Sequence, residues 1–416
     1  MRVTTLKLVN LRNIEAAQFR FKPGFNLIVG TNGVGKSSVL EAIAVSLAPV
    51  VKYTNRLRTN AAFAEEDIRN GASALTIECD LEIDGEKYSY LIHTPRETTV
   101  ARKDGAGLPR EQTMDTPARS EFLGLAPRLA NRSMSGGMPF ALYFSTRRAH
   151  PTDRAPSRGA AAGGVRAALA EAFIPRSLRL TEFADWIRAR SALELEGAVI
   201  GESLTSLNRA IERFLPGYSN LRIESDDASH LVINRGGATI PVRKLSDGER
   251  GMLALVLDLT RRLVLANPQM EDPAAESKGV VLIDEIELHL HPSWQRKVTE
   301  NLLATFPNCQ FVATTHSPQV IGEVEHDRIQ ILANGQIYTP THSFGVDSSR
   351  VLEEIMDTDP RAREVNALLS QISQEVGKQK YEIARGLLAQ LIDKLGEDDP
   401  EVTRIRTFLE FMEGEQ

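Results

Sequence analysis

The sequence predicts an α/β protein with a mixed, mostly parallel sheet, and three observations carry that reading. The runs "GFNLIVG", "GVVLIDEIEL" and "CQFVATTHS" are apolar stretches that end in polar or glycine residues, the pattern of parallel strands covered on both faces. A glycine-rich loop, "GTNGVGKS" (Gly30–Ser37), stands between the first of them and the helically spaced "SSVLEAIAVSLA". From Leu75 to Ile92 the text "LTIECDLEIDGEKYSYLI" alternates around Asp84-Gly85, which predicts an antiparallel hairpin and a β subdomain.

The remaining elements follow in order. Val3–Leu8 and Ala17–Phe21 read as short strands, Thr98–Met138 as loops with a little helix, and "MPFALYFS" as a further core strand. Ser145–Arg166 is poor in large apolar residues and carries Arg147, Arg148, Arg154, Arg158 and Arg166. It reads either as a mobile solvated linker or as an anion or nucleic-acid contact. Ser177–Phe214 is expected to be helical, "LRIESDDASHLVINRGG" to form another hairpin, and Gly251–Ala266 a helix. Beyond Ser343 two amphipathic stripes, Ile383, Leu387, Leu391, Leu395 and Val402, Ile405, Leu409, Met412, flank the break "GEDDP" and predict a helical hairpin.

Composition narrows the function classes. The chain has 416 residues, 42% hydrophobic and 25% charged, with a net charge of -6. It is therefore no polycation, and nucleic-acid binding would need a local basic patch. Its two cysteines, Cys79 and Cys309, have no neighbouring ligand cluster, so neither a disulfide framework nor a CxxC metal site is expected and a cytoplasmic setting is. The N-terminus lacks the apolar core of a signal peptide, and no segment approaches the length of a membrane span.

Three motifs carry chemistry. "GTNGVGKS" matches GxxxxGK[ST] in the required strand-to-helix context. Gly30, Asn32, Gly33, Val34 and Gly35 would wrap a polyphosphate in backbone N–H groups, with Lys36, Ser37 and Ser38 at the start of the helix. Lys36 supplies a point charge to the β/γ oxygens, and the Ser37 hydroxyl is a ligand for Mg²⁺. In "VVLIDE" a buried strand ends in two carboxylates, costly unless something needs them. Asp284 would hold Mg²⁺ and Glu285 would polarise the attacking water as general base. In "VATTHS", His316 stands past a strand expected beside that of Asp284, so both strand ends open on one crevice and His316 can reach the γ-phosphate or the water. A lone histidine is more often structural.

In this order, with "LSDGE" (Leu245–Glu249) between them, the motifs resemble the ATP-binding cassette (ABC-type) ATPases. That resemblance implies an ABC-ATPase head and assigns Ser246, Gly248 and Glu249 to a turn at a helix N-terminus. The turn meets the γ-phosphate bound by a second subunit, so two ATP molecules would be sandwiched in a head-to-tail homodimer. The start "LKLVNLRNIEAAQFRF" looks like the recombination and repair branch, where residues at Arg12 and Asn13 lie beside the nucleotide. The glutamine usual after the strand before the insertion is missing, with Ser145 or Thr146 in its place.

"DEIELHLHP" and "SFGVDSSRVLEEIM" resemble Septu-type (PtuA-like) antiphage-defence ATPases, also found with some retrons, within the OLD/RecF/Rad50 branch. His289 and His291 could suggest a metal pair, but without a third ligand an intersubunit loop is the preferred reading. The resemblance implies an ATPase that regulates a separate HNH-type nuclease, with higher oligomers and nucleic acid (retron RNA or DNA, or phage DNA) as further partners, and no membrane. The alternative is a RecF-like repair ATPase that clamps DNA. No intrinsic nuclease is expected, because only about seventy residues follow Ser343.

The expected organisation is an N-terminal lobe with P-loop and β subdomain (1–144), an Arg-rich loop with a helical and β insertion (145–240), a C-terminal ATPase lobe (241–342) and a helical partner or assembly region (343–416). The tail stripes must pack on something: either they complete the fold or dimer, or they dock a partner.

Overall fold

A computed structural model describes residues 1–55, 62–96, 100–103, 109–112, 119–123, 139–149, 165–175, 177–178, 180, 183–188, 201–224, 230–333, 335–356, 358–359 and 361–414. They fall into two compact units, Met1–Val346 and Asp347–Gln416.

In the first unit the strands run β1 Arg2–Leu11, β2 Ile14–Arg20, β3 Phe25–Val29, β4 Ala74–Ile83 and β5 Glu86–Pro95. Next come β6 Val100–Lys103, β7 Pro109–Gln112, β8 Arg119–Leu123 and β9 Phe140–Phe144. The insertion carries β10 Tyr218–Glu224, β11 His230–Arg235 and β12 Ala238–Pro241. The last four are β13 Gly279–Ile283, β14 Cys309–Thr315, β15 Ile329–Ala333 and β16 Gln336–Tyr338.

The central sheet has the order β16-β15-β3-β14-β13-β9. All its pairings are parallel except that of the edge strand β16. Every residue of β3, β9, β13 and β14 is buried, which is why these strands read as unbroken apolar runs. The register sets Ile283 opposite both Ala313 and Phe144, and Val29 opposite Thr315. β9 and β13 thus end level with each other, β3 and β14 end level two residues further on, and the polar residues after all four follow at the same end of the sheet.

A second, antiparallel sheet has the order β2-β1-β4-β5-β8. β4 alternates strictly between buried and half-buried positions, and Asp84 and Gly85 both take positive φ, 49° and 82°, as a two-residue I′ hairpin requires. β8 adds to the edge of β5, and β6 pairs with β7. The expectation of loops with a little helix across Thr98–Met138 is therefore corrected at three places. Edge strands are held by backbone hydrogen bonds and need no apolar alternation, so their polar sequences gave no periodic signal.

Helix α1 (Lys36–Asn55) packs against β9, β13 and β14, and α2 (Gly201–Phe214) packs against α3 (Asp247–Ala266). α3 begins at Asp247, four residues before the expected Gly251. Ser246 and Glu249 form a reciprocal capping box that satisfies the first N–H groups. Of the expected helical span Ser177–Phe214, 189–200 lie outside the described residues, as do 150–164 of the Arg-rich stretch. The first part of that stretch is no solvated linker: Thr146–Ala149 forms a 3-10 turn and Arg148 is buried. Cys79 and Cys309 are buried free thiols. Among the described residues no helix is long and apolar enough to cross a membrane.

After short helical segments at Ser348–Arg350 and Val351–Ile355, the second unit carries three longer helices, α4 (Arg363–Gly377), α5 (Tyr381–Leu395) and α6 (Pro400–Gly414). α4 precedes the hairpin read from the sequence. Val365, Leu368, Ile372, Ala384, Leu388, Leu391, Val402 and Leu409 form a core of its own.

One buried ion cluster fixes α3. Asp258 accepts from Arg262 Nε at 2.8 Å and Arg261 Nη2 at 3.1 Å, while Arg262 Nη1 also reaches the carbonyls of Ala168 and Ala170. Asp258→Ala removes the carboxylate that two buried cations share, and it is expected to lower unfolding stability by about 3–5 kcal/mol, read as a drop in denaturant midpoint.

Candidate active site

The loop Gly30–Ser37 turns from β3 into α1 as backbone sterics demand. A Cβ at Gly30 would lie 2.5 Å from the Leu332 carbonyl oxygen, and Gly35 sits at φ +110° with Ile14 3.2 Å from where its Cβ would be. Gly33 also takes positive φ, +78°, open to glycine alone at no steric cost. Lys36 folds back over the loop, its Nζ donating to the carbonyls of Gly30 (2.9 Å) and Thr31 (3.0 Å). Burial pulls the Lys36 ammonium below its ordinary pKa, against the opposing pull of Asp284, Glu285 and Glu287.

Arg12 and Asn13, in the turn between β1 and β2, brace this loop. Asn13 Nδ2 donates to the Gly33 carbonyl at 3.1 Å. Arg12 donates to Ser38 Oγ at 3.0 Å and pairs with Glu41 at 2.6 Å and Asp67 at 2.8 Å. Its guanidinium thus holds the first turn of α1 to the β subdomain. Burial opposes its charge, but the two carboxylates outweigh burial and raise its pKa.

Asp284 and Glu285 follow β13. Asp284 is 4% exposed, and its Oδ1 accepts from the Ser37 hydroxyl at 3.1 Å and the Thr314 hydroxyl at 2.6 Å. The same Thr314 oxygen accepts from the Glu285 amide at 2.7 Å. Glu285 takes the left-handed conformation, φ +47°, which turns its backbone off the strand line. Arg148 takes up the carbonyls this exposes: it donates to those of Asp284 and Glu285 (the latter at 2.6 Å) and to that of Ser145 at 3.1 Å. Burial drags the Arg148 pKa down to about 10, with Asp284, Glu287 and Glu285 resisting, so it remains a cation at neutral pH.

His316 stands at the end of β14. Glu287 accepts from its backbone amide and from the Thr315 hydroxyl at 2.7 Å. Burial, then the charge of Lys36, lower the imidazole's pKa below its ordinary value of 6.5, so the ring is neutral at pH 7. Lys36, Ser37, Asp284, Glu285 and His316 therefore gather around one sheet edge, through the bonds above and the shared strand register.

Ser246 is placed differently. Its hydroxyl and amide donate to Glu249 Oε2 at 2.8 and 2.9 Å, and every described side-chain hydrogen bond of Ser246 goes to Glu249. The Glu249 carboxylate also accepts from Tyr218 Oη at 2.6 Å and pairs with Arg235 at 2.8 Å. Burial raises its pKa, but these donors outweigh burial and the net shift is downward. At Gly248 a Cβ would come within 2.6 Å of the His289 carbonyl oxygen. The serine turn is thus pressed against the loop after Glu285. His289 has positive φ, +62°, and His291 Nδ1 pairs with Ser293 Oγ at 2.9 Å. Among the described residues no group of three or more His, Cys, Asp or Glu could hold a metal.

Sequence reasoning missed Arg148, Thr314 and Glu287. Arg148 was hidden in a basic run, whereas Thr314, next to "THS", and Glu287, three residues past Asp284, stood in plain view. A magnesium ion fits the donors present. Ser37 Oγ and Asp284 Oδ1 are hard oxygens 3.1 Å apart, few enough to leave positions for water and phosphate. Ser145, after the neighbouring β9, presents a buried Oγ with no hydrogen-bond partner, as a group waiting for a bound water would. Thr146 beside it is half-buried.

Two protein-family models match. An "AAA domain" model covers residues 5–121, and an "AAA domain, putative AbiEii toxin, Type IV TA system" model covers residues 179–322. The first spans the glycine loop; the second spans Ser246, Asp284 and His316. The chain is 28% identical to the retron Ec83 probable ATPase of Escherichia coli over 99% of this chain and 87% of that one. It is 26% identical to the retron Vc95 probable ATPase of Vibrio cholerae over 86% and 79%. The Septu protein PtuA of Bacillus thuringiensis is 21% identical over 86% and 84%.

Lys36→Ala removes the only loop cation described here. It is expected to abolish nucleotide binding in a fluorescent-nucleotide titration, while leaving the fold's thermal transition in place; tight binding by this variant would overturn the loop's assignment.

Proposed function

We propose that this chain, which belongs to the retron- and Septu-type ATPases of the OLD/RecF/Rad50 branch, hydrolyses MgATP and uses the cycle to regulate a partner nuclease in antiphage defence. One observation carries the reading: Ser37, Asp284, Thr314 and the Glu285 backbone form a continuous hydrogen-bonded line between the glycine loop and the acidic strand end.

The steps follow from these groups. Backbone N–H groups of the loop take the β- and γ-phosphates, and Lys36 exchanges its two loop carbonyls for phosphate oxygens. Ser37 and Asp284 would hold Mg²⁺, which supplies charge neutralisation and orientation of the phosphates when bound. Glu285 accepts the proton of the attacking water as general base. Neutral His316 offers a hydrogen bond to the γ-phosphate or the water. Arg12 and Asn13 keep the loop in shape from beside it.

Ser246 lacks a described link to its own glycine loop, and a second copy of the chain would bring that hydroxyl, with Gly248 and the N-terminus of α3, to the first copy's γ-phosphate. To donate there, Ser246 must release Glu249, whose carboxylate keeps Tyr218 and Arg235. Glu285→Gln is expected to bind ATP, lose roughly 10²–10³-fold in turnover and accumulate as a dimer in MgATP. Light scattering that finds only monomer at saturating MgATP would sink the sandwich.

The second unit is the proposed dock for an HNH-type nuclease. Ile383, Phe408 and Phe411 are 51%, 49% and 59% exposed on its helices, apolar side chains that a partner would cover. Deleting Asp347–Gln416 is expected to spare ATP turnover and lose the nuclease on co-purification from the native operon. A nuclease that still co-purifies refutes the dock. Duplex DNA in its place would favour a RecF-like clamp.

A further inference from the structure

Arg148 is the one buried cation at the site that the proposed chemistry does not use. In an extended strand, successive carbonyls point to opposite sides, so one guanidinium cannot take two in a row. It can here because Glu285 is left-handed, φ +47°, which swings the carbonyls of residues 284 and 285 to the same side. Arg148 donates to both, Nη1 to Asp284 and Nη2 to Glu285. The amides of the same two residues are also fixed: that of Asp284 donates to Phe144 O at 2.8 Å and that of Glu285 to Thr314 Oγ1 at 2.7 Å. All four polar backbone groups of this dipeptide thus have a partner. The two amide partners would also suit a strand continuing straight, whereas the guanidinium fork, with the Leu288 amide that shares the Glu285 carbonyl at 3.0 Å, suits only the turned backbone.

We propose that Arg148 is the positioning residue for Glu285, its guanidinium locking the left-handed turn that aims the Glu285 carboxylate at the attacking water. The inference rests on the reading of Glu285 as the base. The described hydrogen bonds of Arg148 go to backbone carbonyls, so it would act through the backbone it holds. Lysine cannot replace it fully, because an ammonium is a compact point charge and lacks the planar fork that spans two carbonyls.

Turnover and nucleotide affinity of the full chain are compared for Arg148→Ala, Arg148→Lys, Glu285→Gln and the double variants. Arg148→Ala is expected to lower kcat by on the order of 10²-fold, the usual effect of a small misplacement, with KM and ATP affinity near wild type. Arg148→Lys should fall between the two. Added to Glu285→Gln, either Arg148 variant should cost almost nothing more, because the group it positions is already gone. Wild-type kcat in Arg148→Ala, a loss seen in affinity alone, or a double variant slowed by the product of the single effects would each overturn the proposal. If Arg148→Ala does not fold, Arg148→Lys, which keeps a buried cation, decides by the same comparison. Full turnover in Glu285→Gln would topple the base assignment and this inference together. A slow Glu285→Gln beside a fast Arg148→Ala would topple this inference alone.

Discussion

The carboxylate of Asp284, almost wholly withdrawn from water at the end of a strand buried along its whole length, is the constraint around which the first unit is organised. An ionised group there is tolerable only if donors and countercharges surround it. The fold provides them from three sides: the Ser37 hydroxyl from α1, the Thr314 hydroxyl from β14 and the cations Lys36 and Arg148. The same arrangement that makes Asp284 affordable also draws the glycine loop to the acidic strand.

Two clusters can be told apart within one chain. The first holds Lys36, Ser37, Asp284, Glu285 and His316; the second holds Ser246, Glu249, Tyr218 and Arg235. The second is self-contained, with its serine hydroxyl spent on capping its own helix. A serine so engaged is available for a ligand only when something stronger than a carboxylate acceptor arrives, and a polyphosphate from another copy is such a group. In the proposed dimer, the capping box would therefore serve both as helix start and as the resting state of a binding group.

Much of the site was legible because it depends on local chain geometry. The glycine loop needs positive φ and close backbone approach at fixed spacing, and parallel core strands need uniform burial, so both leave marks in the text. The apolar runs of β3, β13 and β14 predicted the sheet, and Asp84-Gly85 predicted the hairpin. Less legible were features whose partners lie far along the chain. Arg148 sits among five arginines that look alike in sequence, and only its approach to residues 284 and 285, some 136 positions on, separates it from them. β6, β7 and β8 were missed because edge pairing is a backbone matter. The start of α3 was placed too late by following its apolar run, although Ser246 and Glu249 spell a capping box three residues apart.

The tight packing at Gly248 has a mechanical consequence. With the His289 carbonyl 2.6 Å from where a side chain would begin, the serine turn and the segment after the acidic pair have no slack between them. In the proposed dimer, a shift in the first helical turn of α3 would therefore bear on the loop that follows Glu285, the proposed base, within the same copy.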